Sequence, residues 1–240
     1  MLSRYYNPYW RRFLTPDNYS YLDLEDINDL NLFAYCYNNP VMGMDPTGCF
    51  SWSSLWKGIG YVATGVGAVV AGALVIASGV ALAPMLVVAG VTIGAGVLTT
   101  INGASEIGEA FSGYNFMEDG VFQGNSTAYN IYSGVTEGVS IVGSMICGGW
   151  LKANAPRIQA YNNIGNYAQT NTVAGHTNRA YNDSVLLQKQ VIKYGKMTKD
   201  LQTSTGYVFR ANGCLNGTSK FWRLVVSNAD ELILHFCFGC

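Results

Sequence analysis

From Gly58 to Gly103 the chain reads GIGYVATGVGAVVAGALVIASGVALAPMLVVAGVTIGAGVLTTING, and no charged residue occurs between Lys57 and Glu106. A helix needs about 20 apolar residues to cross a bilayer, so the run has room for nearly two spans. Pro84, near its middle, removes a backbone donor and breaks a helix, which predicts a helical hairpin. Small residues four apart, Gly67 with Ala71 and Gly90 with Gly94, are spaced for close helix contact in a membrane. The same composition suits a hairpin buried against protein, because glycines and β-branched residues weaken a free helix in water. The run is therefore read as a membrane-inserting or translocating hairpin, with a buried packing element and a permanent anchor as the alternatives. Beyond Glu106 the polar and apolar residues alternate at helical spacing up to Trp150, which predicts two or three amphipathic helices in the same module, residues 51–151.

The rest of the 240 residues is unlike that run. Charged residues make up 12% of the chain and hydrophobic ones 49%, against a usual charged share of about a quarter. That excludes a disordered chain, which is poor in apolar residues and rich in charge. A net charge of -1 gives no basic field over the whole molecule, so any attraction to nucleic acid must be local. Residues 1–50 carry three basic and six acidic side chains, whereas from Asp183 onward seven basic residues meet four acidic ones. Three charge regimes predict three modules, 1–50, 51–151 and 183–240. Residues 152–182, rich in Asn, Gln, Thr and Gly and containing His176, read as a linker with an idle, exposed histidine. Of the six cysteines only Cys237 and Cys240 are close in sequence. Plain thiols are expected, a disulfide or a metal half-site being the alternative. No metal site and no cofactor is expected. The opening MLSRYYNPYWRRF lacks the apolar core and small-residue cleavage site of a signal peptide.

In the first module tyrosines alternate with turn formers such as Asn7-Pro8, Pro16-Asp17-Asn18 and Asp45-Pro46-Thr47-Gly48. That pattern predicts β-hairpins. Fifty residues cannot cover both faces of such a sheet, so the module reads as the tail of something larger. SRYYNPYWRRFLTPD followed by LNLFAYCYNNPVMGMDPTG resembles the end of the core domain of Rhs/YD-repeat proteins, whose usual motifs run ARYYDP, GRFLSPDP, NLYAYCxNNP and DPxG. The resemblance covers nearly all of residues 3–48. It implies a β-walled cocoon around a toxin, ended by the element Pro40, Asp45, Pro46 and Gly48, which in many members belongs to an aspartyl autoprotease. The carboxylates it would carry over are Asp45 and Asp17. Two carboxylates sharing a proton are needed for that chemistry, and the rest of the cocoon that would hold them is not in this chain. The alternative for Asp45 is a turn cap ahead of Pro46. Asn18 in place of the usual proline and the acidic insert YLDLEDIND depart from the family pattern.

In the third module Asn182-Asp183-Ser184 can cap a helix over SVLLQKQVIKY, ended by Gly195. Three strand-like runs follow, GYVFRA at 206–211, SKFWRLVVS at 219–227 and ELILHFCFG at 231–239, which predict an antiparallel three-stranded meander. The fold class is thus α+β in several modules: a hairpin remnant, a Gly/Ala-rich helical hairpin, and a small helix with its meander.

Lys189, Lys193, Lys196 and Lys199 on the helix and the loop after it, Arg210 and Arg223 on strands, and His235 on the last strand form the functional pattern. RNA cleavage by transesterification needs a general base, a general acid and cations for the phosphorane, and histidine, lysine and arginine supply all of these. His235, Arg223 and Arg210 are the candidate catalytic residues and the four lysines the candidate RNA-binding ones. The ordinary alternatives are a core histidine and a solvated lysine face. Depending on turn length, His235 is expected opposite Arg223 or opposite Leu224. The architecture is similar to that of small helix-plus-meander ribonuclease toxins. Together with the Rhs resemblance, this implies a polymorphic toxin delivered into a neighbouring cell, with a cognate immunity protein, RNA as substrate, membrane contact through 58–103, and the remainder of an Rhs core as partners. A pore-forming toxin acting through the hairpin and an inert orphan end piece are the rival readings.

Overall fold

A computed structural model describes residues 4–17, 31–35, 51–175, 179, 181–203 and 205–239. The fold is α+β, and the chain divides into two units, residues 1–69 with 92–142 and residues 70–91 with 143–240. Three long helices contribute to both: α1 (Trp52–Ala77), α2 (Ala83–Ser112) and α3 (Ser126–Asn163).

In the first unit β1 (Tyr6–Asn7) and β2 (Arg12–Phe13) form the expected hairpin. Phe13 is buried against Tyr6 and Tyr35, with edge-on ring contacts at 6.0 Å and 5.5 Å. The guanidinium of Arg4 lies 3.8 Å over the Phe13 ring and pairs with Asp17 at 2.9 Å. The helices of this unit meet through glycine. A Cβ on Gly65 would lie 2.5 Å from the Gly96 carbonyl oxygen, and one on Gly103 would lie 2.6 Å from that of Gly58. Backbones that close leave no room for any side chain. The glycines expected to serve as contact points, Gly67, Gly90 and Gly94, face open space instead.

The contact between α2 and α3 is polar. Thr99 Oγ1 and Ser140 Oγ lie 2.8 Å apart, Asn102 Nδ2 donates to Thr136 Oγ1 at 3.1 Å, and the Tyr129 hydroxyl donates to Glu106 Oε1 at 2.8 Å. All six side chains are buried. Just past α2, Asn115 Nδ2 donates back to Glu109 Oε2 at 2.8 Å, while Asn115 Oδ1 caps a π-helical turn at Phe116–Val121 by accepting from Met117 N and Glu118 N. Valines, leucines and isoleucines stand on the outer faces, among them Val66, Val97, Leu98, Ile101, Val135 and Val142.

In the second unit α1 ends at Ala77 and Gly79 adopts a φ of +70°. The hairpin turn thus lies at residues 78–82, and Pro84 sits in the first turn of α2, where its missing donor costs nothing. Val75, Ala81 and Ala89 pack with Cys147 of α3. Where two or three amphipathic helices were expected lie the end of α2, the π-helical turn at Phe116–Val121 and α3, which runs unbroken for 38 residues through Pro156. Residues 152–182 are accordingly no linker. After α3 come a 3-10 turn (Ile164–Asn166), β3 (Ala168–Gln169) and α4 (Asn171–Ala174), and Ala160, Ile164, Tyr167 and Val173 belong to the main core. Composition misled because the small residues here fit against aromatic partners from the sheet. His176 lies outside the described residues.

The helix α5 (Val185–Tyr194) starts as expected on Ser184, whose side chain accepts from Leu187 N, and ends at Gly195. The sheet is larger than a meander. Its order is β3-β7-β6-β5-β4, where β4 is Lys196–Lys199, β5 Gly206–Leu215, β6 Thr218–Ser227 and β7 Leu232–Phe238. The expected strands are its antiparallel centre, β4 pairs antiparallel at one edge, and β3 pairs parallel with β7 at the other. One face carries Phe209, Trp222, Leu224, Val226, Ile233 and Phe236 onto α5 and the end of α3. Arg157 of α3 ties the helices together, donating to Lys193 O at 3.1 Å and Gly195 O at 2.8 Å.

These contacts predict opposite signs for glycine substitutions of the same chemistry. Gly103→Ala destabilises the full chain, while Gly90→Ala and Gly94→Ala, each meeting open space, stabilise it by up to about 1 kcal/mol through helix propensity. Thermal unfolding followed by circular dichroism measures both.

Candidate functional site

Register decides which side chains of the sheet stand together. On β5 and β6, Arg210 pairs with Arg223, and Lys196 of β4 pairs with Arg210. Residues directly opposite in an antiparallel pair share a face, so Lys196, Arg210 and Arg223 form a row of three cations across three neighbouring strands. They stand on the face opposite the core. Arg223 is half-buried, its Nε buried with no hydrogen-bond partner, while Arg210 and Lys196 are exposed. The ion pair recorded among the described residues is Arg4 with Asp17, so no described carboxylate pairs with the row. Asp200, just past β4, receives a 2.6 Å hydrogen bond from Thr203 Oγ1, which holds its carboxyl below the usual range.

His235 is brought to the same face by an irregularity. Near the turn Ser227 pairs with Leu232 and Val226 with Ile233, but Val225 then pairs with His235. Leu234 is the extra residue of a β-bulge. Without it His235 would stand opposite Leu224, in the core. With it, His235 stands opposite Val225, one pleat along from Arg223. Neither expected register was the observed one, because the loop of residues 228–231, where Glu231 has a φ of 54°, is followed by this bulge. Bulges re-aim side chains in this way. His235 is half-buried. It lies on the strand next to Arg223 and two strands from Arg210, about 10 Å at the usual strand spacing.

At the other side of the row is an open cleft of about 450 Å³ lined by Tyr194, Lys196, Arg210, Ala211, Asn212 and Phe221. Tyr194 is 65% and Phe221 38% exposed, so two aromatic rings flank two cations. Neither ring was singled out from the sequence, although both lie within runs recognised as elements. The structure divides the four lysines. Lys196 lines the cleft, and Lys199 ends the same edge strand, so these two belong to β4 and not to a loop. Lys189 stays on α5 with Nζ 5.3 Å from the centre of the Tyr161 ring, and Lys193 sits 5.8 Å from that of Tyr194.

Cys237, opposite Arg223, is buried and disulfide-bonded, in place of the expected thiol, while Cys214 is an exposed free thiol. Among the described residues no group of three or more His, Cys, Asp and Glu side chains is placed to hold a metal ion. Asp17, expected to share a proton with a second carboxylate, is ion-paired with Arg4; Asp45 lies outside the described residues. Comparison with protein-family models, curated proteins and solved structures finds no match.

Three like charges side by side cost stability, as does a buried donor left unpaired. Arg223→Met is therefore expected to raise the melting temperature, by the equivalent of about 0.5–1 kcal/mol. Inorganic phosphate should raise that of the wild type more than that of the variant. Differential scanning calorimetry with and without phosphate measures both effects.

Proposed function

We propose that this chain is the C-terminal region of an Rhs/YD-repeat polymorphic toxin used in competition between bacteria, and that its C-terminal sheet binds and cleaves RNA. The Rhs part rests on the ordered motifs within residues 3–48. The RNA part is carried by one observation, the row Lys196, Arg210 and Arg223 beside a cleft with two exposed rings. Cations that track phosphates and aromatic faces on which bases stack are what single-stranded RNA requires of a surface.

In the proposed reaction the 2'-oxygen attacks the adjacent phosphorus and gives up its proton, the P–O5' bond breaks, and the departing 5'-oxygen is protonated. The products are a 2',3'-cyclic phosphate and a free 5'-hydroxyl. His235 accepts the proton of the 2'-hydroxyl, and solvent water protonates the departing 5'-oxygen. Arg223, on the neighbouring strand, stabilises the phosphorane, and Arg210 with Lys196 holds the chain beside it. A cognate immunity protein covering this face is the corresponding partner, and delivery into a neighbouring cell the corresponding route.

Membrane contact through residues 58–103 is the second component of the proposal. Its support is that α1 and α2 are long and apolar enough to cross a bilayer and that only 22% of each apolar window is buried. The same observation favours the rival reading of a membrane-active toxin, in which the hairpin itself is the effector.

The full chain is the right test object, because the core of the sheet uses residues 160–173. Purified protein incubated with total RNA in EDTA is expected to cleave it. His235→Ala should lower the rate by about two to four orders of magnitude at unchanged melting temperature, and Arg210→Gln should weaken binding with a flatter salt dependence. Intact RNA with the wild type, or activity retained in His235→Ala, rejects the assignment. Membrane depolarisation by a chain inert toward RNA would favour the pore-forming toxin, and inactivity in both assays an inert end piece.

A further inference from the structure

We infer that α3 is a third lipid-facing helix: the segment Tyr129–Trp150 enters the hydrocarbon of a bilayer beside α1 and α2, with the polar ladder to α2 sealed inside. The inference rests on the proposed membrane contact of the hairpin and extends it to a helix that composition does not mark as apolar.

The helix has two stripes. Tyr129, Ser133, Thr136 and Ser140, spaced four, three and four residues apart, are all at most 7% exposed, and three of them bond to Glu106, Asn102 and Thr99 of α2. Ile131, Val135, Val139, Val142 and Ile146, spaced four, four, three and four apart, are 64, 60, 38, 56 and 48% exposed. An amphipathic helix in water docks its apolar stripe and leaves the polar one wet. Here the orientation is reversed, and a reversed helix is at home where the surroundings are apolar and polar groups are met from within the protein, as they are along the ladder except at Asn102 Oδ1. Glu137, the charge within this segment, is half-buried and falls on the flank of the polar stripe, across the helix from the apolar one.

Lipid fits this surface better than a protein partner does. A partner docked on one face leaves the rest bare, whereas apolar residues stand outward on all three helices, as at Val66, Leu98 and Val135, and a bilayer covers all of them; enclosure by a surrounding protein wall is the outcome that absence of label on every helix would report. At the end of the first unit where Ser51 N donates to Ala110 O, exposed Trp56, Phe111, Tyr114 and Phe116 lie next in sequence to Lys57, Glu118 and Asp119 or within a few residues of them. Aromatic rings beside charges are the mark of a membrane interface.

The test uses the full chain on phosphatidylcholine–phosphatidylglycerol vesicles containing a photoactivatable hydrocarbon diazirine, with labelled residues mapped by mass spectrometry. Label is expected at Val135, Val139 and Val142 in yields like those at Val66 and Leu98, and not at Thr136 or Ser140. Label on α1 and α2 with none on α3 overturns the third helix and leaves the hairpin's membrane contact standing; no label on any helix overturns both. Val139→Lys, with helicity checked by circular dichroism, should lower vesicle partitioning by about two orders of magnitude, and unchanged partitioning also overturns the inference.

Discussion

Hydroxyl, amide and carboxyl groups facing one another between α2 and α3 set the terms for the helical part of the molecule. Thr99 with Ser140, Asn102 with Thr136 and Glu106 with Tyr129 occupy the inner positions, so the apolar residues are left for the outside. In water that arrangement forgoes the hydrophobic burial that holds most helices in place. Along this seam what remains is hydrogen bonding, worth only about 1 kcal/mol net per pair, and beside it dispersion between the α1 and α2 backbones brought together at Gly65–Gly96 and Gly58–Gly103. An apolar medium changes the balance, because the outer faces no longer cost anything and the polar pairs have no competing water.

The sheet depends on a smaller device. Its core face is continuous from Trp222 through Leu224 to Val226 and takes up Phe236 and Ile233 from β7. Keeping both of those in the core while sending His235 to the other side requires one extra residue, Leu234, between the two registers. A perfect ladder would have placed the histidine against Leu224 and the cations alone on their face. The bulge therefore keeps Ile233 and Phe236 in the core while turning His235 to the face of the cation row, and it does so on the strand next to Arg223.

Much of this was legible in the sequence, and the failures share a cause. The charge-free run, its break near Pro84, the capped α5 and the central strands are local signals of length, spacing and turn chemistry. Gly67, Gly90 and Gly94 against Gly58, Gly65, Gly96 and Gly103 were not separable, because which glycine faces a neighbour depends on helix rotation and not on spacing within one helix. Residues 152–182 were misread because Ala160 and Ile164 are buried by aromatic rings some 50 to 75 positions later in the chain. The row Lys196, Arg210 and Arg223 was present as a list of cations, but its order is set by register, and the bulge that gives His235 its face leaves no mark in composition.

The helix α3 carries both designs in one continuous element. Its first half presents hydroxyls to α2 and valines outward, and its last turns supply Ala160 and Arg157 to the core and cap of the α5–sheet assembly. Between them stands Pro156, which cannot donate to the carbonyl four residues before it, while its own carbonyl accepts from Asn228 Nδ2 at 2.8 Å. The helix nevertheless continues through Pro156 to Asn163, and the contact to Asn228 ties this turn to the loop before β7.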